Sequence, residues 1–238
     1  MPELPEAEVA ARQLRERVVG ATVRDCWIGR EDIVREGLPS LDQYRQAKIA
    51  GVERKGKSVI LHFLCGKEPR FLVAELGMTG LLLFRSTLTK HPQHTHFILH
   101  LDGCCEPDIR YWNPRRFGRL SLLDRAGLDR YVARRFGHDP LTISHEKFLR
   151  VLRATRSRLK SLLMHQQVIA GIGNIYANEI LFRSRLHPNQ PSNSIPGKSI
   201  TRLHQVMGEV LREAIAMGGS SVRDYFAPDG TEGQYKRR

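Results

Sequence analysis

The sequence is short of several things, and each shortage removes a class of protein. No apolar run approaches the ~18 residues that a membrane helix needs. The opening string, Met1-Pro2-Glu3-Leu4-Pro5-Glu6, is acidic and carries no apolar core of a secretory signal, so the expected compartment is the cytoplasm. Cysteine is scarce: Cys26, Cys65, Cys104 and Cys105 form no C-x-x-C pair and no zinc-ribbon spacing. Adjacent cysteines at 104 and 105 are poorly spaced to chelate one ion, and all four read as reduced, structural thiols. There is no internal repeat and no low-complexity tract. With 41% hydrophobic and 26% charged residues, wholesale disorder is excluded. A length of 238 residues suits one large domain or two small ones, enough to bury a core without disulfide or metal staples.

Positive charge is abundant. Thirty-eight Lys and Arg against 25 Asp and Glu leave a net charge of +13. Such a surplus on a folded chain points to a polyanionic partner. Nucleic acid comes first and an anionic membrane second, and no basic amphipathic anchor helix supports the membrane.

Periodicity divides the chain. Residues 5–18 read as a helix, with Val9, Leu14 and Val18 at near-helical spacing. Strand-like runs follow at 21–28, 58–64, 71–76, 81–84, 97–101 and 119–123, separated by turn signals such as Asp102-Gly103 and Asn113-Pro114. From about 128 the strands stop. Helices are expected at 147–153 with Ser144 as cap, at 158–165, at 174–182 and at 200–217, the last preceded by Ser199. Residues 187–198 read as a loop. The predicted fold is α+β: an N-terminal β-sandwich with an N-terminal helix over 1–127, then a helical domain over 128–238.

Residue types at the N-terminus suggest chemistry. A small second residue normally permits removal of Met1, which leaves Pro2 with a free secondary amine. A secondary amine that attacks a carbonyl-level carbon gives a charged iminium, a good electron sink. Glu3 beside it can supply or take a proton. By itself a proline near a helix start is commonplace.

The whole set of motifs says more. MPELPE before a helix, Arg54-Lys55-Gly56-Lys57 before a strand, Leu76-Gly77-Met78-Thr79-Gly80, Asn113-Pro114-Arg115-Arg116-Phe117-Gly118, Leu159-Lys160-Ser161-Leu162-Leu163-Met164 and Gly171-Ile172-Gly173-Asn174-Ile175-Tyr176-Ala177 occur in this order. Together they resemble the formamidopyrimidine-DNA glycosylase family over nearly the whole chain. The resemblance implies a helix–two-turns–helix element in the helical domain and a bifunctional DNA glycosylase and abasic-site lyase. Such an enzyme removes oxidised purines, chiefly 8-oxoguanine and formamidopyrimidines, from duplex DNA and nicks the strand by β,δ-elimination. Pro2 would attack C1′, Glu3 would protonate the sugar ring oxygen, and Lys57 would serve the eliminations. Met78, Arg115 and Phe117 would fill the gap left by the flipped nucleotide, with Arg115 facing the orphaned base. Ordinary core packing is the alternative for Met78 and Phe117. Arg116, Lys160 and Asn174 would clamp phosphates, and the Gly171-x-Gly173-Asn174 turn would aim backbone N–H groups at an anion. His94 resembles a DNA-contacting histidine, with a strand-edge histidine as the alternative. Residues 218–226 resemble the start of a loop that closes over the flipped base.

There are departures. Glu75 stands where the family often has His, His165 where it often has Asp, and Thr155 and Arg156 where a lysine is common. The family's four-cysteine zinc finger has no counterpart before Arg238, so no cofactor is expected within these residues. The expected partner is damaged double-stranded DNA, with no membrane, and the expected setting a monomer in the bacterial cytoplasm, associated with the nucleoid. The competing class is a truncated, non-catalytic paralogue that binds damaged DNA.

Overall fold

The computed structural model describes residues 2–235, apart from 67, 86, 88–91 and 222–224. Helix α1 (Leu4–Val18) is followed by strands β1 (Thr22–Ile28), β2 (Val34–Glu36), β3 (Lys48–Lys55), β4 (Ser58–Cys65), β5 (Glu68–Glu75), β6 (Leu81–Phe84), β7 (Thr95–Asp102), β8 (Asp108–Trp112) and β9 (Arg119–Leu123). Helices α2 (Arg125–Arg135), α3 (His145–Arg153), α4 (Leu159–Leu163), α5 (Asn174–Ser184) and α6 (Gly197–Ala216) complete the chain. The architecture is α+β, with the strands before the helices as the sequence predicts.

The strands hydrogen-bond in the order β2-β9-β5-β4-β3-β1-β7-β8-β6. At the β3–β1 join the register holds a single pair, Thr22↔Lys48, whereas β3 and β4 pair from Lys48↔Leu64 to Lys55↔Ser58. This narrow join divides the sheet into two leaves that face each other. Alternation along the strands supplies the inner faces. Val59, Leu61 and Phe63 of β4, Leu72 and Ala74 of β5, and Phe97, Leu99 and Leu101 of β7 share one core. The opposite face of the first leaf, with Ile60, Phe71, Val73 and Leu123, is covered by Leu128 and Tyr131 of α2.

Helix α2 spans the division expected at 127/128 and packs on the sheet. It is capped by Asp124, whose side chain accepts from the Gly127 N–H at 2.7 Å. Ser144 caps α3 as predicted, accepting from the Lys147 N–H. The expected start of the last helix is corrected: α6 begins at Gly197 with Pro196 at its cap, so Ser199 lies in the first turn and the loop is shorter. Strands β2, β3 and β8 and helix α2 had no counterpart among the predicted elements.

A second core gathers Phe148, Leu152, Leu159, Leu163, Tyr176, Ile180, Leu203, Met207 and Leu211 from α3 to α6. Helix α1 belongs to both cores. Its Ala7, Ala10, Ala11, Leu14 and Val18 enter the core between the leaves, while Leu4 and Val9 enter the helical one. The first turn of α1 therefore lies at the junction of the two halves. Among the described residues no helix is long and apolar enough to cross a membrane.

Candidate active site

Three elements converge on the N-terminus. Pro2 is buried, and Glu3 is the N-cap residue of α1 with 0% exposure. The Glu3 backbone N–H donates to Glu6 Oε2 at 2.8 Å, and Pro5 occupies the first turn, where a missing N–H costs nothing. The Leu4 N–H donates to the Gly171 carbonyl at 3.0 Å and ties the terminus to the connection before α5.

The Glu3 carboxylate then caps a different helix. It accepts from the backbone N–H groups of Gly173 at 2.8 Å, Ile175 at 3.0 Å and Tyr176 at 3.3 Å, the first turn of α5. These donors are otherwise orphaned, and the helix dipole favours an anion there. The glycine-rich turn is thus an anion site, as its sequence suggests. The anion it holds is Glu3. A Cβ at Gly173 would lie 2.4 Å from Glu3 Cδ and 2.7 Å from Lys57 Nζ, so the close approach requires glycine and brings carboxylate and ammonium to one spot.

Lys57 reaches that spot from the two-residue turn Gly56–Lys57, which joins β3 to β4 through the Lys55↔Ser58 pair. Arg54 braces the turn: its guanidinium, 7% exposed, bonds Glu8 of α1 at 2.8 Å and Asp139 at 2.5 Å. Burial holds the Lys57 amine below its usual range, and the nearby Glu3 and Glu6 charges oppose that fall.

Glu6 is a buried joint that the sequence did not mark as functional. Its Oε1 accepts from the Tyr176 hydroxyl at 2.6 Å and the Ser220 N–H at 2.7 Å. Burial pushes its carboxyl up, against the hydrogen bonds from Tyr176, Ser220 and Glu3. The Tyr225 hydroxyl donates to the Glu6 carbonyl at 3.2 Å. Glu6 therefore fastens α1 to α5 and to the described ends of the 218–226 segment. Val222, Arg223 and Asp224 lie outside the described residues. The only sequence signal for Glu6 is its place three residues after the cap of α1.

Met78, Arg115 and Phe117 are exposed, which removes the core-packing alternative: Met78 is 37% and Phe117 58% exposed. They sit on two turns locked together. The Arg115 N–H donates to Thr79 Oγ1 at 3.3 Å, and the Thr79 hydroxyl donates to Asn113 Oδ1 at 3.3 Å. Fully buried Asn113 also accepts from the Arg116 N–H at 3.1 Å and donates to the Gly118 carbonyl at 3.3 Å. Gly77, at φ +59, touches Gly118 so closely that a Cβ would lie 2.5 Å from its nitrogen. The Arg115 guanidinium stacks over the Phe117 ring at 5.1 Å. Large apolar side chains held in water by a rigid base point to a ligand that covers them.

The remaining predicted residues fall into two places. Lys160 Nζ donates to Asn174 Oδ1 at 2.8 Å on the exposed α4–α5 surface. Exposed Arg116 adopts a left-handed backbone, φ +54, beside the wedge turn. The His94 carbonyl accepts from the Asn113 N–H at 2.9 Å, and its ring meets Trp112 edge-on at 6.2 Å, so His94 flanks the same turn. Glu75, in place of the family's His, accepts from the Tyr131 hydroxyl at 2.8 Å and pairs with Arg35 and Arg135.

Cys26 is in β1, Cys65 ends β4, and Cys104 and Cys105 follow β7. Burial pushes the Cys26 thiol up to about 12. Among the described residues no group of three or more His, Cys, Asp or Glu could hold a metal ion.

Comparison with known proteins matches this arrangement. Residues 1–120 match the model of the formamidopyrimidine-DNA glycosylase N-terminal domain, and residues 136–225 that of the formamidopyrimidine-DNA glycosylase H2TH domain. The chain is 38% identical to a formamidopyrimidine-DNA glycosylase of Thermus thermophilus over 243 residues, covering 100% of this chain and 85% of that protein. It is 36% identical to that of Thermomicrobium roseum, covering 100% and 86%. Among solved structures, the MutM (Fpg) protein of Thermus thermophilus superposes with a TM-score of 0.85 at 36% identity, over 100% of this chain and 85% of that one. The complex between Lactococcus lactis Fpg and DNA containing an abasic site gives 0.85 at 28% identity, over 99% and 86%.

Proposed function

The chain belongs to the formamidopyrimidine-DNA glycosylase family of DNA-repair glycosylases and abasic-site lyases, and from that membership we propose that it excises oxidised purines from duplex DNA with Pro2 as nucleophile. The observation that carries this reading is the junction itself. Pro2 is buried beside a Glu3 carboxylate held by three backbone N–H groups, with the Lys57 ammonium at the same spot.

With Met1 removed, the Pro2 nitrogen forms a bond to C1′ while the damaged base departs with its bonding electrons and a proton. A proton delivered through Glu3 to the ring oxygen opens the sugar and leaves an iminium between Pro2 and C1′. Transfer of a C2′ proton to a base sends the C–H bonding electrons into that sink and expels the 3′ phosphate, and loss of a C4′ proton in a second elimination expels the 5′ phosphate. Water then releases Pro2. Lys57 suits proton donation, because an amine held below its usual range by burial gives up its proton more readily than a free lysine.

Met78, Arg115 and Phe117 enter the stack where the nucleotide leaves, and Arg115 offers planar donors to the orphaned base. Lys160, Asn174, Arg116 and His94 hold backbone on either side. Ser220 and Tyr225, fastened to Glu6, would hold the two described ends of the 218–226 segment beside the flipped base. The reading assigns no cofactor to these residues, and it places a monomer in the bacterial cytoplasm, acting on nucleoid DNA.

The test is borohydride reduction in the presence of abasic-site DNA. A covalent complex should form with its link at Pro2. Trapping that survives Pro2→Gly undiminished and vanishes with a lysine variant would assign the nucleophile elsewhere; no trapping at all would leave a binding protein without this chemistry.

A further inference from the structure

Lys57 and the backbone donors of Glu3 come from different halves of the molecule, and one strip of chain touches both. Between α2 and α3 the Gly137 N–H donates to the Gln166 carbonyl and the His138 N–H to the Val168 carbonyl, each at 2.9 Å. The Ala170 N–H returns a bond to the His138 carbonyl at 2.9 Å, so His138 and Ile169 form a parallel bridge. This strip runs straight into the Gly171–Gly173 turn that ties down Leu4 and Glu3. On its other side it meets the Lys57 turn twice. The Phe136 ring lies so close to Gly56 that a Cβ there would sit 2.9 Å from it. Asp139 Oδ2 accepts from Arg54 at 2.5 Å, while its Oδ1 accepts from the Leu141 N–H at 2.9 Å.

Arg54 spreads its donors over three elements. Nε donates to Glu8 of α1 at 2.8 Å, Nη2 to Asp139, and Nη1 to the Gly56 carbonyl at 3.4 Å, inside the Lys57 turn itself. Burial would raise the Glu8 carboxyl, but hydrogen bonds from Arg12 and Arg54 hold it below its usual range, so the cluster stays ionised. The hairpin does not need this cluster, because the Lys55↔Ser58 pair already closes its two-residue turn. Taking such charges out of water gives little net stability, and registry between elements is the best-attested use of a buried ion cluster. The ammonium itself lacks a tether. Among the described residues no hydrogen bond or ion pair reaches Lys57 Nζ, so its place is set by the turn beneath it.

We propose that Arg54 is a positioning residue: with Glu8 and Asp139 it locks the Lys57 turn to the strip that leads into the donors of Glu3, and so fixes Lys57 Nζ against the Glu3 carboxylate. The inference rests on the reading of Lys57 as a proton donor in the eliminations. A planar guanidinium suits the task, because its donors point in fixed directions toward acceptors on separate elements. Acid and amine are thereby held in one frame, although 53 residues of sequence and the division between the halves lie between Glu3 and Lys57.

The test is single-turnover cleavage of abasic-site DNA at saturating enzyme, in a cycle of R54M, K57M and R54M/K57M. R54M should slow cleavage about 10²-fold, the loss expected when a reacting group moves by about 1 Å. Borohydride trapping at Pro2 should persist in R54M, because Glu3 keeps its own donors on α5. In the K57M background R54M should add nothing, because the group it positions is gone. R54K should fall nearly as far as R54M, since one ammonium cannot span the three acceptors. If circular dichroism shows R54M unfolded, D139A carries the same cycle: Asp139 is 28% exposed, and Glu8 still neutralises Arg54. Wild-type cleavage by R54K or by folded R54M or D139A, trapping lost together with cleavage, or an equal further loss in the K57M background would overturn the proposal. Wild-type cleavage by K57M would refute the reading of Lys57 and remove the premise. Slow K57M beside fast R54M would refute the positioning alone.

Discussion

The reaction centre and the wedge are built on opposite principles. Around Glu3 and Glu6, charge is enclosed, and each carboxylate accepts from donors on other elements. Around Met78 and Phe117, apolar surface is exposed, and only the backbone beneath it is fixed. The enclosed centre fixes geometry before substrate arrives, as proton transfer and nucleophilic attack require. The exposed wedge stores the opposite asset, apolar area whose burial is withheld until bases part around it.

Gly173→Ala attacks the enclosed centre directly. The added Cβ would overlap Glu3 and Lys57, and a displacement of about 1 Å at a reacting group costs roughly 10²-fold. Single-turnover cleavage of an abasic site should fall by about that factor or more. A retained melting temperature would show that the loss is catalytic.

Met78→Ala with Phe117→Ala attacks the wedge. Excision of a paired lesion should fall about tenfold or more, since opening the stack costs a few kcal/mol. Cleavage of a preformed abasic site should fall far less. Equal losses on the two substrates, checked against circular dichroism, would indicate a folding defect and erase the distinction between the regions.

Lys160→Ala tests the periphery, where Lys160 meets Asn174 on the surface. One lost phosphate contact should lower the log–log salt slope of DNA binding by about 0.9. An unchanged slope would remove Lys160 from the clamp.

Glu6→Gln gives the smallest effect, and it is a pH effect. The folded protein holds the Glu6 proton more tightly than the unfolded chain, whose carboxyl titrates near 4.5. Stability from this group is complete below 4.5 and is lost as pH rises through the raised folded value. The wild-type melting temperature should therefore fall relative to E6Q as pH rises above about 4.5, at about 2–4 °C per kcal/mol for a chain of this size. A gap that stays constant as pH rises would show that Glu6 does not titrate differently in the two states.

Much of this was legible in the sequence, for definite reasons. Helices α1, α3, α5 and α6 have continuous apolar stripes, and β4 and β7 have dense apolar runs. Strand β3 hides because a register shift between Ile49 and Gly51 breaks its alternation. Helix α2 hides because four arginines and a glycine leave only Leu128, Tyr131 and Val132 to mark its face. The site residues were readable as motifs, but their company was not. Periodicity cannot show that Glu3 caps a helix that begins at residue 174, or that Glu6 meets Tyr176 and Ser220.

The cap that Glu3 places on α5 has a consequence for biosynthesis. The two partners are separated by 170 residues of chain, so the ribosome delivers Pro2 and Glu3 first and their backbone donors long afterwards. Until α5 has emerged and docked, the amine has no organised acid beside it, and contacts of such sequence separation form late in folding. On the proposed chemistry, a nascent or prematurely released chain would lack the organised Glu3 that the reaction uses. If Pro2 is the nucleophile proposed above, its acid is put in place only by a segment whose presence certifies that both halves have been made.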